Sequence, residues 1–531
     1  MKNPKKKHFI ISYANNTNFL FYIYLCIYTL FGLFSLTVFP RVHSDETWLG
    51  SLSYAMMNSK SLFTTEPFFD LFPRTPHTMK ILFHSLQQIP IHLLGLSIFN
   101  IRLVSLVFGL LSLILLYKIL LHIVEYQHGA LLVTIFTSLS LPFIYASHFA
   151  RQEIILVFIL SLCYYLYIKE NKYNNVLIPL IIGISISLHP NAFIIACMIG
   201  LILLKDLILK KVKPMAIISY IGMLAIWALG NIAISLSQNP NFIRDYLDYG
   251  STLSVTASPA SRLVNFGDFY LKLYYQITGT YYIPPMKILM SATGLFFLLA
   301  LTLLVFRKVR GTFLTSIYDT HIINSLLMII GFNIGVFIIG RYNTTSIVFA
   351  LLPSVCLISS VICLLLSFTI KKNTYVYIIL SVLIVLTAYR SYTEISSLAH
   401  INYSDYENQI ARSLSEDSVV LGNLSSAFVF KDIPFKDIRN LEYLGEESLY
   451  NYLVSNNINT IVYYEEYDYI HRNQNWEILY GDDDLYYDQL NQLLLDYGTV
   501  IDEFENIDYG TRIIRYMGEY PWKVTIYQLD F

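Results

Sequence analysis

Long apolar runs dominate the chain from its N-terminus to about residue 390, and a mixed pattern takes over after it. The runs fall at 19–39, 99–121, 129–148, 152–168, 175–188, 192–209, 214–236, 286–306, 321–339, 345–369 and 374–390. A helix of roughly 20 apolar residues spans a hydrocarbon core of about 30 Å. The pattern therefore predicts an α-helical polytopic membrane protein with about 11 transmembrane helices. Pro190, in His189-Pro190-Asn191, divides an otherwise over-long helix, because proline removes an amide donor and clashes with the preceding turn. Two connections are long: 40–98 after the first run and 237–285 after the seventh.

Inside 40–98, the apolar residues Trp48, Leu49, Leu52, Ala55 and Met56 recur at helical spacing. They predict a short helix capped by Ser44, with Asp45 and Glu46 in its first turn. The prolines of 65–80 predict an ordered loop, and 81–96 reads as an amphipathic helix along the membrane surface. After residue 395 the chain becomes rich in Asp, Glu, Asn and Tyr. Segments 418–422 and 460–464 read as buried strands. Leu449, Tyr452 and Leu453 mark one helical face; Tyr486, Leu490, Leu493, Leu494 and Tyr497 mark another, closed by Gly498 as a C-cap. Segments 511–517 and 522–529 read as a strand pair. Asp482-Asp483-Asp484 reads as an acidic helix start in preference to a calcium loop. The expected organisation is a membrane domain over 1–395 and an extracytoplasmic α/β domain over 396–531.

Composition agrees with the pattern. Of 531 residues, 55% are hydrophobic and only 14% charged, with a mean hydropathy of +0.52, a balance that a soluble protein of this size does not have. The net charge of -1 provides no field to recruit nucleic acid. Cys26, Cys163, Cys197, Cys356 and Cys363 all lie in apolar runs and read as small hydrophobes, without a disulfide framework. The basic clusters are Lys5-Lys6-Lys7, Lys169/Lys172, Lys205/Lys210/Lys211/Lys213, Arg307/Lys308/Arg310 and Lys371/Lys372. They share one side if there are eleven spans. Cytoplasmic loops carry the excess of Lys and Arg. The expected placement is therefore the cell membrane, multi-pass, with the N-terminus cytoplasmic and the C-terminal domain outside. The first run lacks a small-residue cleavage site and reads as a retained span.

The opposite side collects the chemically interesting groups: Asp45-Glu46, Glu66, Asp70, His77, His189, and the single cations Arg41, Arg74, Lys80, Arg102, Arg151, Arg244, Arg262 and Arg341. Each one alone reads as an interfacial residue or a helix end. On one shared face they suit an anion in the outer leaflet, of which a lipid phosphate is the obvious example.

The first outer loop opening with Asp45-Glu46, followed by Asn100-Ile101-Arg102-Leu103-Val104-Ser105-Leu106-Val107-Phe108-Gly109, resembles the membrane-embedded glycosyltransferases of the GT-C fold. The branch it is most similar to contains the protein mannosyltransferases and the aminoarabinose transferase of lipid A. Ala150-Arg151, Gly340-Arg341-Tyr342 and Pro353 match further features of that branch, and the resemblance covers roughly 15–390. It implies an inverting transfer of a hexosyl or pentosyl group from a polyprenyl-phosphate donor to a lipid, glycan or protein acceptor on the outer face. By position it implies Asp45 as general base or acceptor orienter, Glu46 as its partner, and Glu66 or Asp70 as a second acid. Thr75-Pro76-His77 departs from the double proline usual there. By the same resemblance the C-terminal domain helps to bind the acceptor or covers the site.

The chemistry is reasonable in its own right. A carboxylate in reach of an acceptor hydroxyl removes its proton, and preorganised cations stabilise a departing lipid phosphate. Arg151, Arg341, His77 and Lys80 are the candidates for that work, with His189 and Tyr342 beside them in the substrate-binding set. No His/Asp cluster has metal spacing, and a divalent metal ion is left open as cofactor. The competing class is a transporter or flippase of lipid-linked glycans. Transporters place ionisable groups at mid-membrane and repeat their halves; these spans are nearly free of charge and no internal repeat is evident. A non-catalytic scaffold leaves the outward acids and cations unused.

Overall fold

The computed structural model describes residues 4–124, 127–252, 258–277, 280–311, 316–369, 374–472, 485–509 and 520–531. Each of the eleven apolar runs coincides with helix. Seven helices are long and apolar enough to cross a membrane among the described residues: Asn16–Ser35, Ile98–Ile123, Pro214–Gln238, Lys287–Val309, Ile317–Ile339, Thr344–Ser367 and Thr374–Ser396. The third run is a pair, Gln127–Ser138 and Leu141–His148, bent by 64°. Three shorter helices, Glu153–Ile168, Asn174–Ser185 and Ala192–Ile208, complete the set, and the last two flank Pro190 as expected.

Burial divides helices that hydropathy does not. Lys287–Val309 and Thr344–Ser367 have similar hydropathies of 2.4 and 2.6, yet 6% of the first window is buried against 78% of the second. One faces outward over most of its surface; the other is central. Between central helices, small residues allow close approach. A Cβ on Gly331 would lie 2.6 Å from the Met198 Cα, and one on Gly335 2.8 Å from the Ile194 Cα, so Ile317–Ile339 and Ala192–Ile208 meet backbone to backbone.

Polar contacts sort the chain reversals by parity. Asp45, Arg151 and Tyr281, from the turns after the first, third and seventh runs, bond to one another. A second set joins the alternate ends: the Lys205 ammonium donates to the Tyr167 hydroxyl at 3.1 Å and the Asn324 carbonyl at 2.6 Å, and Arg307 pairs with Asp319 at 2.8 Å. That separation is what an unbroken series of crossings requires.

The C-terminal unit carries a sheet of β1 (Val420–Gly422), β2 (Phe435–Asp437), β3 (Thr460–Tyr464), β4 (Gly498–Asn506) and β5 (Trp522–Leu529), in the order β2-β1-β3-β5-β4. β1 is parallel to β2 and β3; β5 is antiparallel to β3 and β4. Strands at 418–422 and 460–464 were legible from their apolar runs. β4 was not, because Gly498 both closes the helix, following Tyr497 directly, and opens the strand; an added Cβ there would sit 2.6 Å from the Leu494 carbonyl oxygen. Residues 511–517, Asp482-Asp483-Asp484 and Lys371/Lys372 lie outside the described residues, and the described antiparallel partner of β5 on its outer side is β4.

One buried ion pair ties the first long loop to the helix ends beside it. Arg102 and Glu46 are both 0% exposed and meet in a bidentate contact, Nε to Oε1 and Nη2 to Oε2, each 2.7 Å. Arg102 Nη1 also donates to the carbonyls of Leu36 (2.8 Å) and Pro40 (3.0 Å). The Glu46 oxygens accept the backbone amides of His43 (3.1 Å) and Ala150 (2.9 Å). Removing one member of such a pair strands a buried charge at a cost of about 3–5 kcal/mol. We expect Arg102→Met to lower the thermal unfolding midpoint in detergent markedly, and the double change with Glu46→Gln to recover most of the loss. An unchanged midpoint for Arg102→Met would remove this pair from the stability of the fold.

Candidate active site

The helix Ser44–Ser59 presents the first acid. Its cap is His43 and not Ser44: the His43 ring accepts from the Asp45 amide at 3.0 Å, while the Glu46 carboxylate accepts the His43 amide in return. The two adjacent acids diverge because successive helical residues point about 100° apart. Glu46 turns inward to Arg102 and shows no surface. Asp45 keeps 21% of its side chain exposed and faces Arg151 at 2.7 Å and the Tyr281 hydroxyl at 2.5 Å, both on Oδ2. Tyr281 also receives a bond from Arg151 at 2.5 Å and stacks on His43 at 4.3 Å. Burial, with Asp45 beside it, pushes the Tyr281 phenol up against the pull of Arg151, so it stays protonated and donates to Asp45.

The other two first-loop acids part company. Glu66, 3% exposed, is gripped by Arg74 (2.5 and 2.9 Å) and by the Trp48 indole N–H (2.7 Å). Burial alone would raise its carboxyl; the Arg74 charge and these hydrogen bonds outweigh that and bring it to about 2. Asp70 turns to the C-terminal unit, where it meets Lys436 at 2.8 Å and the Tyr452 hydroxyl at 3.0 Å. Neither shares the contacts of Asp45.

Among the expected cations, Lys80 and Arg341 stand apart. The side chain of neither makes a hydrogen bond or ion pair with another described residue. The field around Lys80 reveals its neighbours: burial first, then the positive charges of Arg341, Arg151 and Arg74, push its ammonium down to about 8, with Asp45 opposing them. Burial, Lys80 and Arg74 likewise bring His77 down to about 4. Burial and the charges of Lys80, Arg341 and Arg151 hold His189 well below its usual value. In that field both imidazoles favour the neutral form, because a proton there would sit among like charges. Tyr342 is turned away, its hydroxyl donating to the Arg262 carbonyl at 2.9 Å. Arg41 pairs with Asp508 at 2.9 Å, so it, Arg74 and Arg102 have protein partners of their own.

Two residues that reasoning from the sequence did not select belong to this site. Tyr281 carried no signal beyond its place in the aromatic and proline-rich stretch Tyr281-Tyr282-Ile283-Pro284-Pro285. Glu153, 4% exposed, accepts from the Thr345 hydroxyl at 2.8 Å and lies 3.3 Å from Arg151. Its place directly after Arg151-Gln152, at a helix start, disguised it as a dipole-favouring cap residue. No group of three or more His, Cys, Asp and Glu side chains is arranged to hold a metal ion among the described residues.

The architecture is similar to that in the crystal structure of ArnT from Cupriavidus metallidurans bound to undecaprenyl phosphate. The likeness covers 97% of this chain and 98% of that one, with a TM-score of 0.56 and 11% sequence identity. No protein-family model and no curated relative matches the sequence. The likeness is therefore one of fold, and the fold is the polytopic GT-C architecture with its C-terminal sheet domain.

The Glu66–Arg74 pair has a titration signature. A carboxylate held below its unfolded value stabilises the protein above about pH 4, and that stabilisation is lost as the pH falls towards 2. Arg74→Ala removes the largest opposing cause and leaves the Trp48 and backbone hydrogen bonds alone against burial, so the carboxyl rises. We expect its acid-unfolding midpoint to move up by about one pH unit; coincident acid titrations of variant and parent would contradict the pairing.

Proposed function

We propose that the chain is an integral-membrane glycosyltransferase of the cell membrane. It moves a sugar from a polyprenyl-phosphate donor to an acceptor hydroxyl on the outer face, with the N-terminus cytoplasmic and the C-terminal domain outside. One observation carries the reading: a partly exposed carboxylate, Asp45, acts on Lys80, which also lies in the field of Arg341, and neither cation has an ion-pair partner among the described residues. Unpaired like charges held together in a half-buried setting are costly unless a ligand supplies the counter-charge. A phosphate is the group that suits them, and the similarly folded ArnT was crystallised with undecaprenyl phosphate.

The chemistry follows from the geometry. Asp45, oriented by Arg151 and Tyr281, takes the proton of the acceptor hydroxyl. The freed oxygen attacks the anomeric carbon, and the bond from that carbon to the phosphate oxygen breaks. The electron pair leaves on the phosphate, where Lys80, Arg341 and Arg151 stabilise the added charge. One attacking and one departing oxygen on opposite faces invert the anomeric centre. Glu46 and Glu66 act as anchors in this scheme, since their oxygens are engaged by arginines. His77 and His189 contribute neutral ring nitrogens, and Asp70 serves the domain contact. The flippase reading gains nothing from the structure, because the unpaired cations lie in the loops at one end of the bundle.

Asp45→Asn is expected to reduce sugar transfer by about 10³-fold while insertion and unfolding behaviour stay unchanged; transfer at near-parental rate would remove Asp45 from the chemistry. Because the Lys80 ammonium titrates near 8, lipid-phosphate binding should weaken as the pH rises through that value, and the decline should vanish in Lys80→Gln. Affinities measured against undecaprenyl phosphate between pH 6 and 9, on the order of one value per half unit, test this. An identical pH profile in the two proteins would count against the assignment.

A further inference from the structure

The loop between Glu66 and Arg74 has no helix or strand of its own, so its amides need partners from elsewhere. A single side chain supplies most of them. Asn440, 0% exposed in the C-terminal unit, accepts the amides of Asp70 (3.2 Å), Leu71 (3.2 Å) and Phe72 (3.0 Å) on Oδ1. Its Nδ2 donates to the Phe68 carbonyl at 2.8 Å, which also receives the Asp437 amide at 3.0 Å. The neighbouring Arg439 guanidinium lies over the rings of Trp48 (4.8 Å), Phe69 (4.6 Å) and Phe72 (5.1 Å). Trp48 stands one helical turn from Asp45 and donates to Glu66, so the same contact reaches the acid of the site from its other side.

This arrangement exceeds what joining two domains needs. An amide side chain that accepts three consecutive backbone N–H groups and donates to a fourth residue fixes a loop in one conformation. Its two ends are Glu66 and Arg74, and the Arg74 charge acts on Lys80. We infer that Asn440 is a positioning residue for the lipid-phosphate end of the site: through 68–72 it sets the Glu66–Arg74 pair, and through Arg74 the cation cluster. The C-terminal domain is then a working part of the donor site and not only a cover or an acceptor platform. The inference rests on reading Lys80 and Arg341 as the phosphate-binding cations.

A double-mutant cycle on the full-length protein in detergent tests it, with undecaprenyl phosphate as the probe. Asn440→Ala and Arg74→Ala should each weaken binding by about tenfold. Because both act through one element, the double variant should also lose about tenfold and not the product of the two. A residue that merely stabilises the domain would lower the unfolding temperature and leave the affinity of the folded fraction alone. If Asn440→Ala does not fold, Asn440→Asp, which keeps the acceptor and loses the donor, takes its place in the cycle with the same criterion. Multiplicative losses, or an affinity within about twofold of the parent, overturn the inference. Lys80→Gln separates the two levels of the argument. If it weakens binding while the Asn440 variant does not, only the role of Asn440 falls; if it leaves binding intact, the lipid-phosphate reading falls and this inference with it.

Discussion

Everything near the site is referred to the Glu46–Arg102 contact. A carboxylate and a guanidinium, both without solvent exposure, are stable together only when every polar atom is answered, because neither has water to fall back on. Here the answers come from four places: the end of the first span, the cap of the loop helix, the start of the second span and the turn before Arg151. Satisfying one ion pair therefore fixes the relative position of four segments. Asp45, the next residue back, inherits its place from that constraint.

The charges of the site divide by whether they are answered. Glu46, Glu66 and Asp70 each have a cation of their own, and each serves to join elements. Lys80 and Arg341 have none among the described residues, and Lys80 bears the mutual repulsion of its neighbours in a shift to about 8. On the proposed function, a ligand phosphate is the group that neutralises them. Burial first, and then the same field, lowers the pKa of the two imidazoles nearby and favours their neutral forms.

The C-terminal unit reaches this region through contacts with the loop 40–98. Thr47 donates to the Leu424 carbonyl at 2.7 Å, and a Cβ on Gly50 would lie 2.7 Å from the Phe428 ring. The helix that bears Asp45 thus has the membrane bundle on one side and the C-terminal domain on the other. Loop 68–72, which has no regular structure, borrows its order from Asn440. Rigid support of this kind holds the side chains around Asp45 in fixed relative positions.

Hydropathy alone determined the helical runs, the break at Pro190, the helix after Lys80 and the strands read at 418–422 and 460–464, because those features are periodic and local. The same patterning brought Asp45, Arg151, Lys80 and Arg341 to one end of the bundle through the parity of the crossings. What no local pattern contains is pairing. Asp45 and Glu46 are neighbours of the same chemical type, and only the packing decides that one is buried against Arg102 and the other left exposed beside Tyr281. Arg102 and Arg341 were likewise indistinguishable single cations until tertiary contacts gave one a partner and left the other without. β4 was hidden because Gly498 satisfies both a helix end and a strand start, and the antiparallel neighbour that selects the second lies about thirty residues on. Electrostatic roles follow distances between residues remote in sequence, and the fold is what sets those distances.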